Sequence, residues 1–266
     1  MNILKHYERA AGMKRGGHFL SEPSLRRPNS GRYGATAALF NARRPRAQEL
    51  RPPVADPTGA ARLIVGVILM ALASAATPAL ARGPIILDFG DSLTAGLGLP
   101  ASQAFPTRLE AWLHQQGIEA RVINAGVSGD TTSGGLARLD WALTEKPDLV
   151  ILALGANDAL RGIDPSTVRD NLDKMIAKIQ AKGAKVLLLG MLAPPNWGEE
   201  YKRAFDRIFP ELARAHHLPL YPFFLEGVAM KPEFNQPDGL HPNERGVGVL
   251  VDRIAPVVAG LIGGAS

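Results

Sequence analysis

Cysteine is absent from the 266-residue sequence. That excludes disulfides, a thiolate nucleophile, thiolate zinc sites and cysteine-ligated iron–sulfur clusters. Histidine is scarce: the six in the chain form no HExxH pair and no other compact ligand spacing, so neither a metal nor a metal-dependent mechanism is expected. The glycine-bearing segments GLGLPAS and SGGLAR lack both the Walker lysine spacing and GxGxxG, which argues against a nucleotide cofactor; no cofactor of any kind is called for. The GxSxG nucleophile elbow is missing as well. A basic excess is also missing from most of the chain. Residues 1–62 carry 12 Lys/Arg against 4 Asp/Glu, whereas residues 63–266 carry 18 against 21, so charge gives no support for nucleic-acid binding.

The remainder divides into a leader and a domain. Residues 1–62 show no sustained apolar period and are rich in Arg, Pro, Gly, Ala and Ser. Such a composition buries too little apolar area to offset ordering the backbone, and a disordered extension is expected. LIVGVILMALASAATPALA occupies 63–81, with Arg62 ahead of it and Ala79-Leu80-Ala81 as a small-x-small cleavage site. Its strongly apolar part is about a dozen residues, short of the roughly 20 that cross a bilayer, and Pro78 breaks the segment near its end. A cleaved signal peptide is the expectation, giving a periplasmic or secreted protein with no stable membrane anchor; an uncleaved anchor and a buried helix are the alternatives. The long basic stretch also fits a translation start near residue 60.

Residues 82–266 form the expected folded domain. Strands are expected at 84–89 (PIILDF), 119–124 (EARVIN), 148–154 (DLVILAL), 184–190 (AKVLLLG) and 218–222 (LPLYP). Helices are expected at 103–116, 133–143, 165–182, 199–216 and 243 to about 261. Val168, Leu172, Met175, Ile176 and Ile179 make one apolar stripe, Asp164 precedes Pro165 as a cap, and Gly117 and Gly183 stand just past helix ends. Near-continuous apolar strands alternating with amphipathic helices predict a three-layer α/β/α sandwich around a mostly parallel five-stranded sheet. Ligands in such folds bind beyond the carboxyl ends of the strands. The polar segments Gly90-Asp91-Ser92, Asn124-Ala125-Gly126, Gly155-Ala156-Asn157-Asp158 and Met191 to Pro195 all fall there.

Ser92, in FGDSLTAG, is placed either to cap a helix or to act as a nucleophile. A nucleophilic serine needs a base, a group that orients the base, and donors for an oxyanion. His6 and His18 lie in the leader, while His114, His216 and His217 lie on or at the ends of helices, where surface or capping roles account for them. His241 sits in the turn-rich QPDGLHPNERG, three residues after Asp238. By itself that DxxH fits helix capping, a dyad, or two ligands of a metal site. Together with FGDSLT it favours the dyad.

Four ordered blocks, FGDSLT at 89–94, NAGVSGDT at 124–131, LGANDA at 154–159 and DGLHP at 238–242, resemble those of the SGNH hydrolases, also called GDSL-type lipases and esterases. The similarity spans about residues 84–260. GDTTSGGLARL and LYPFFLEGVAMKPEFNQPDGLHPN bring it nearest to the exported bacterial members that act as acyl-CoA thioesterases, lysophospholipases and arylesterases. The resemblance implies a flavodoxin-like fold with Ser92 as nucleophile, His241 as general base and Asp238 orienting the histidine. It also implies an oxyanion hole made of the Ser92 and Gly126 backbone N–H groups and the Asn157 side-chain amide. Asp91, Asp158, Asn124 and Asp130 are expected to support loops.

Leu160, Pro195, Trp197, Phe223, Phe224 and Phe234 are candidates for an apolar acyl groove, or equally for core and loop packing. The expected partner is a small acyl ester or thioester; a non-enzymatic acyl- or glycan-binding protein on the same scaffold is the alternative. Oligomeric state is left open between monomer and weak dimer.

Overall fold

The computed structural model describes residues 82–263. The basic extension at 1–62, the signal segment at 63–81 and the last three residues lie outside them. The described chain runs β1 (Ile85–Gly90), α1 (Ser92–Ala95), α2 (Phe105–Gln115), β2 (Arg121–Gly126), α3 (Thr132–Ala142), β3 (Leu149–Ala153), α4 (Ala156–Arg161), α5 (Pro165–Ala181), β4 (Lys185–Leu189), α6 (Glu199–Asp206), α7 (Ile208–Ala215), β5 (Leu220–Tyr221) and α8 (Glu244–Gly263). Every strand pairing is parallel, and the spatial order is β2-β1-β3-β4-β5. Helices α2 and α8 pack together, as do α3, α5 and α7, giving a helical layer on each side of the sheet. This is the α/β/α sandwich that the alternation of strands and helices predicts.

Local chemistry explains the elements. All five residues of β3 are buried, as a central parallel strand covered on both faces requires. β2, at the edge, is half-exposed along its length and correspondingly less apolar. In α5 the Asp164 side chain accepts from the Ser166 amide at 2.8 Å with Pro165 at the first helical position. The whole predicted stripe from Val168 to Ile179 is buried, and each such side chain contributes about 2 kcal/mol of transfer free energy.

Three differences from the sequence expectation have simple causes. The helix expected over 199–216 breaks at Arg207, because Pro210 has no N–H for the Asp206 carbonyl and its ring crowds that carbonyl. Helices α1 and α4 are too short for a 3.6-residue period to reveal. The last strand shrinks to two residues.

The strand order reverses direction at β1 and β3, so a crevice opens beyond their carboxyl ends. Ser92 follows β1 and Asn157 follows β3.

Candidate active site

Ser92 is the first residue of α1, whose cap is Asp91: the Asp91 Oδ1 accepts from the Leu93 amide at 3.0 Å. Serine is therefore not the cap, and its hydroxyl is left for another partner. That partner is His241, brought from 149 residues away: Ser92 Oγ lies 2.9 Å from His241 Nε2, with both residues buried. His241 Nδ1 lies 2.6 Å from Asp238 Oδ2. The other Asp238 oxygen accepts from the Leu240 and His241 amides at 2.8 and 3.0 Å. Burial pushes the Asp238 carboxyl upward, but the two amides and the His241 ring outweigh it and hold the group below the usual carboxylate range. An ionised Asp238 only accepts, so Nδ1 carries a proton and Nε2 is free to accept from the serine.

Asn157, in the first turn of α4, donates from Nδ2 to Asp91 Oδ2 at 3.2 Å. Its neighbour Asp158 turns away and accepts from the Thr132 amide and hydroxyl at 2.9 and 2.7 Å, which ties α4 to the start of α3. Asp158 and Asp91 thus support loops, as expected of them.

Gly126 differs from expectation. A side chain there would meet the Ala95 nitrogen at 2.2 Å and the Asp91 carbonyl at 2.8 Å, so glycine lets β2 lie directly against the serine helix. Its amide, however, already donates to Asn124 Oδ1 at 3.0 Å and is not free for an oxyanion. Three residues on, Gly129 has φ +81° and its carbonyl accepts from Arg161 Nη2 at 2.8 Å. Arg161 stands one turn beyond Asn157 on α4. The amides of Gly129 and Ser92 have no acceptor among the described residues.

Arg138 escaped the sequence argument. From α3 it donates to Asp130 Oδ2 at 2.7 Å and to the Ala125 and Gly90 carbonyls at 2.9 Å each, with its guanidinium 3.9 Å above the Phe89 ring. One side chain thereby joins the carboxyl ends of β1 and β2 to the turn that carries Gly129. Its position between Gly135 and Ala142 on the buried stripe of α3 is the signal that could have disclosed it.

The expected groove residues separate. Phe224 is fully buried and packs edge-on against Phe105 at 5.3 Å, so it belongs to the core and lines no open groove. Phe234 is half-buried, with Lys231 and Arg245 against its ring. Trp197 is 46% exposed; its indole N–H donates to the Ala159 carbonyl at 2.9 Å and its ring covers Gly162. Leu160 and Phe223 are half-buried and Pro195 is exposed. Leu97 and Val127, which sequence reasoning passed over, and Leu192 are exposed apolar residues just beyond β1, β2 and β4, at the same end of the sheet as Ser92.

Beneath α1 lies Asp88, fully buried on β1. Its Oδ1 accepts from Thr94 Oγ1 at 3.2 Å and its Oδ2 has no partner. Burial, opposed by Thr94 and reinforced by Asp91, pushes the carboxyl up to about 8. Asp91, also fully buried, is pushed up to about 6, chiefly by burial.

Comparison with known proteins gives a consistent picture. The model of the GDSL-like Lipase/Acylhydrolase family matches residues 89–249. Esterase TesA of Pseudomonas aeruginosa is 44% identical over 183 residues, covering 68% of this chain and 91% of that protein. Thioesterase 1/protease 1/lysophospholipase L1 of Escherichia coli is 38% identical over 184 residues, covering 68% and 86%. The crystal structure of AlinE4, an SGNH-hydrolase family esterase, superposes with a TM-score of 0.58 at 46% identity, covering 68% of this chain and 98% of that one.

Proposed function

Because the chain belongs to the GDSL-like lipase/acylhydrolase family, we propose that it hydrolyses carboxylic esters and thioesters through an acyl-enzyme formed on Ser92. The observation that carries this reading is the hydrogen-bonded series Ser92–His241–Asp238, with the histidine tautomer set by an ionised aspartate.

In the first half-reaction His241 Nε2 takes the Ser92 proton as Oγ attacks the acyl carbon, and Asp238 steadies the imidazolium that forms. The tetrahedral oxyanion is met by the Ser92 amide, by the Asn157 side chain and by a second backbone amide. We assign that amide to Gly129 rather than Gly126, because the Gly126 N–H is held by Asn124 while the Gly129 N–H is unengaged among the described residues. Collapse of the intermediate breaks the bond to the alcohol or thiol, which leaves with the proton from His241. Water, deprotonated by His241, then releases the acid and restores the serine.

Substrates of the class named for the relatives, acyl thioesters and lysophospholipids, together with aryl esters, suit an apolar rim made by Leu97, Val127, Leu192 and Trp197. Each added methylene buried there contributes about 0.8 kcal/mol, so chain-length preference is graded. The apolar segment 63–81 with its Ala79-Leu80-Ala81 end supports export and a mature chain beginning at Arg82; mass spectrometry of the exported protein reads that terminus directly. The activity is tested by comparing wild type and Ser92→Ala on p-nitrophenyl esters, acyl-CoAs and lysophospholipids of increasing chain length. Equal rates for the two proteins would remove the assignment.

A further inference from the structure

Asp91 touches both the serine helix and Asn157, yet the acyl-transfer steps give it nothing to do. Asn157 presents a problem that Asp91 solves. A carboxamide has nearly the same shape with its oxygen and nitrogen exchanged, so only the chemistry of its partner decides which end faces the oxyanion. Among the described residues that partner is Asp91.

We propose that Asp91 is a positioning residue for the hydrolysis: it fixes Asn157 with its NH2 toward the oxyanion and couples that orientation to the helix bearing Ser92. The proposal rests on the acyl-enzyme reading of Ser92. An ionised Asp91 can only accept. Its Oδ1 is used by the Leu93 amide at 3.0 Å and its Oδ2 by one N–H of Asn157 at 3.2 Å, leaving the second Asn157 N–H for the oxyanion. Turning the amide over would set the Asn157 oxygen against an oxygen of the fully buried Asp91 carboxylate, and a charged acceptor makes that preference strong.

Protonation removes the preference, since a neutral Asp91 can donate to the Asn157 oxygen. Burial, with Asp130 adding to it, raises Asp91 to about 6 against the bonds from Leu93 and Asn157 and the charge of His241. The ionisable groups facing it are Asp88 from β1, Asp130 from the turn after β2 with its partner Arg138 on α3, and His241 from the segment before α8. α4 contributes Asn157 and, behind it, Asp158, already engaged by Thr132.

Asp91→Asn supplies the test. The Leu93 amide claims the new side-chain oxygen, so the new NH2 faces Asn157 and favours the inverted amide. The expected result is a loss of about a hundredfold in kcat with KM little changed. In an Asn157→Ala background the same substitution should cost less than about threefold. On the acid side, log kcat of the wild type should fall more steeply than that of Asp91→Asn, which has already lost the contribution of an ionised Asp91. Equal losses in the two backgrounds, an unchanged acid slope, or an effect confined to KM would overturn the proposal. A measurement independent of how the variant folds is the NMR signal of the Asn157 side-chain amide in the resting wild type and in His241→Ala. It should move with a midpoint near 6 in the wild type and at higher pH in His241→Ala, which lacks the group that lowers Asp91; a wild-type amide that does not titrate between about pH 5 and 7 refutes the coupling. A Ser92→Ala protein as active as wild type would remove the enzyme assignment while leaving that titration intact, so the two failures are distinguishable.

Discussion

Asp238 and Asp88 serve opposite ends of one site and behave in opposite ways. Asp238, on a turn before α8, is half-exposed and receives three N–H donors, which hold it ionised. Asp88, inside the sheet under the serine helix, is fully buried, has one donor and leaves an oxygen unpartnered, and its carboxyl rises to about 8. Donor count and access to water, not residue type, decide whether an aspartate is an anion in this crevice. The turn directs three backbone and ring N–H groups to one carboxylate and obtains an oriented imidazole; the strand can offer none, since its amides are committed to the ladder.

Removing the charge from Asp238 tests the first half of that contrast and should have the largest effect. Asp238→Asn leaves Nδ1 of His241 without an acceptor-only partner, and kcat should fall about 10⁴-fold with KM nearly unchanged, read in steady-state ester hydrolysis. Next comes Asn157→Ala, which deletes one oxyanion donor: about 3 kcal/mol in the barrier, a hundredfold or more in kcat/KM.

Asp88→Asn tests the other half, through stability. The folded-state value of Asp88 lies above its ordinary 3.8, so the stability linked to it is fully present below that value and is lost as pH rises toward about 8. The neutral substitute loses nothing over that window. The variant should therefore match wild type near pH 3 and exceed it by roughly 1.5 kcal/mol at pH 5 and more above, as measured by denaturant unfolding. A constant difference across pH would mean that Asp88 does not titrate in the fold. The smallest effect is expected for Trp197→Phe, which keeps a ring over Gly162 but deletes the bond to the Ala159 carbonyl. About 1 kcal/mol of stability should go, with little change in rate on short esters.

Much of the scaffold is legible in the chain. Parallel strands announce themselves as unbroken apolar runs, and α5 by its stripe, its Asp164–Pro165 start and its Gly183 stop, because each is a local consequence of backbone hydrogen bonding and burial. Short elements and partners distant in sequence are not. α1 and α4 hold too few residues to show a period. Phe224 looks the same in sequence whether it lines a groove or, as here, packs edge-on against Phe105. Nothing near Gly126 in the sequence announces that the Asn124 side chain bends back onto its amide and occupies it.

The sequence by itself determined the order of the strands and of the longer helices, the parallel character of the sheet and the end of it where polar residues gather. Those features arise from apolar periodicity and from the backbone groups that each segment must satisfy. Only the tertiary structure decided that a hydroxyl and an imidazole 149 residues apart meet at 2.9 Å, that one arginine fastens two strand ends, and which glycine amide stays open. Such outcomes depend on which groups packing leaves dry and which donors it leaves over, and no stretch of chain carries that information alone.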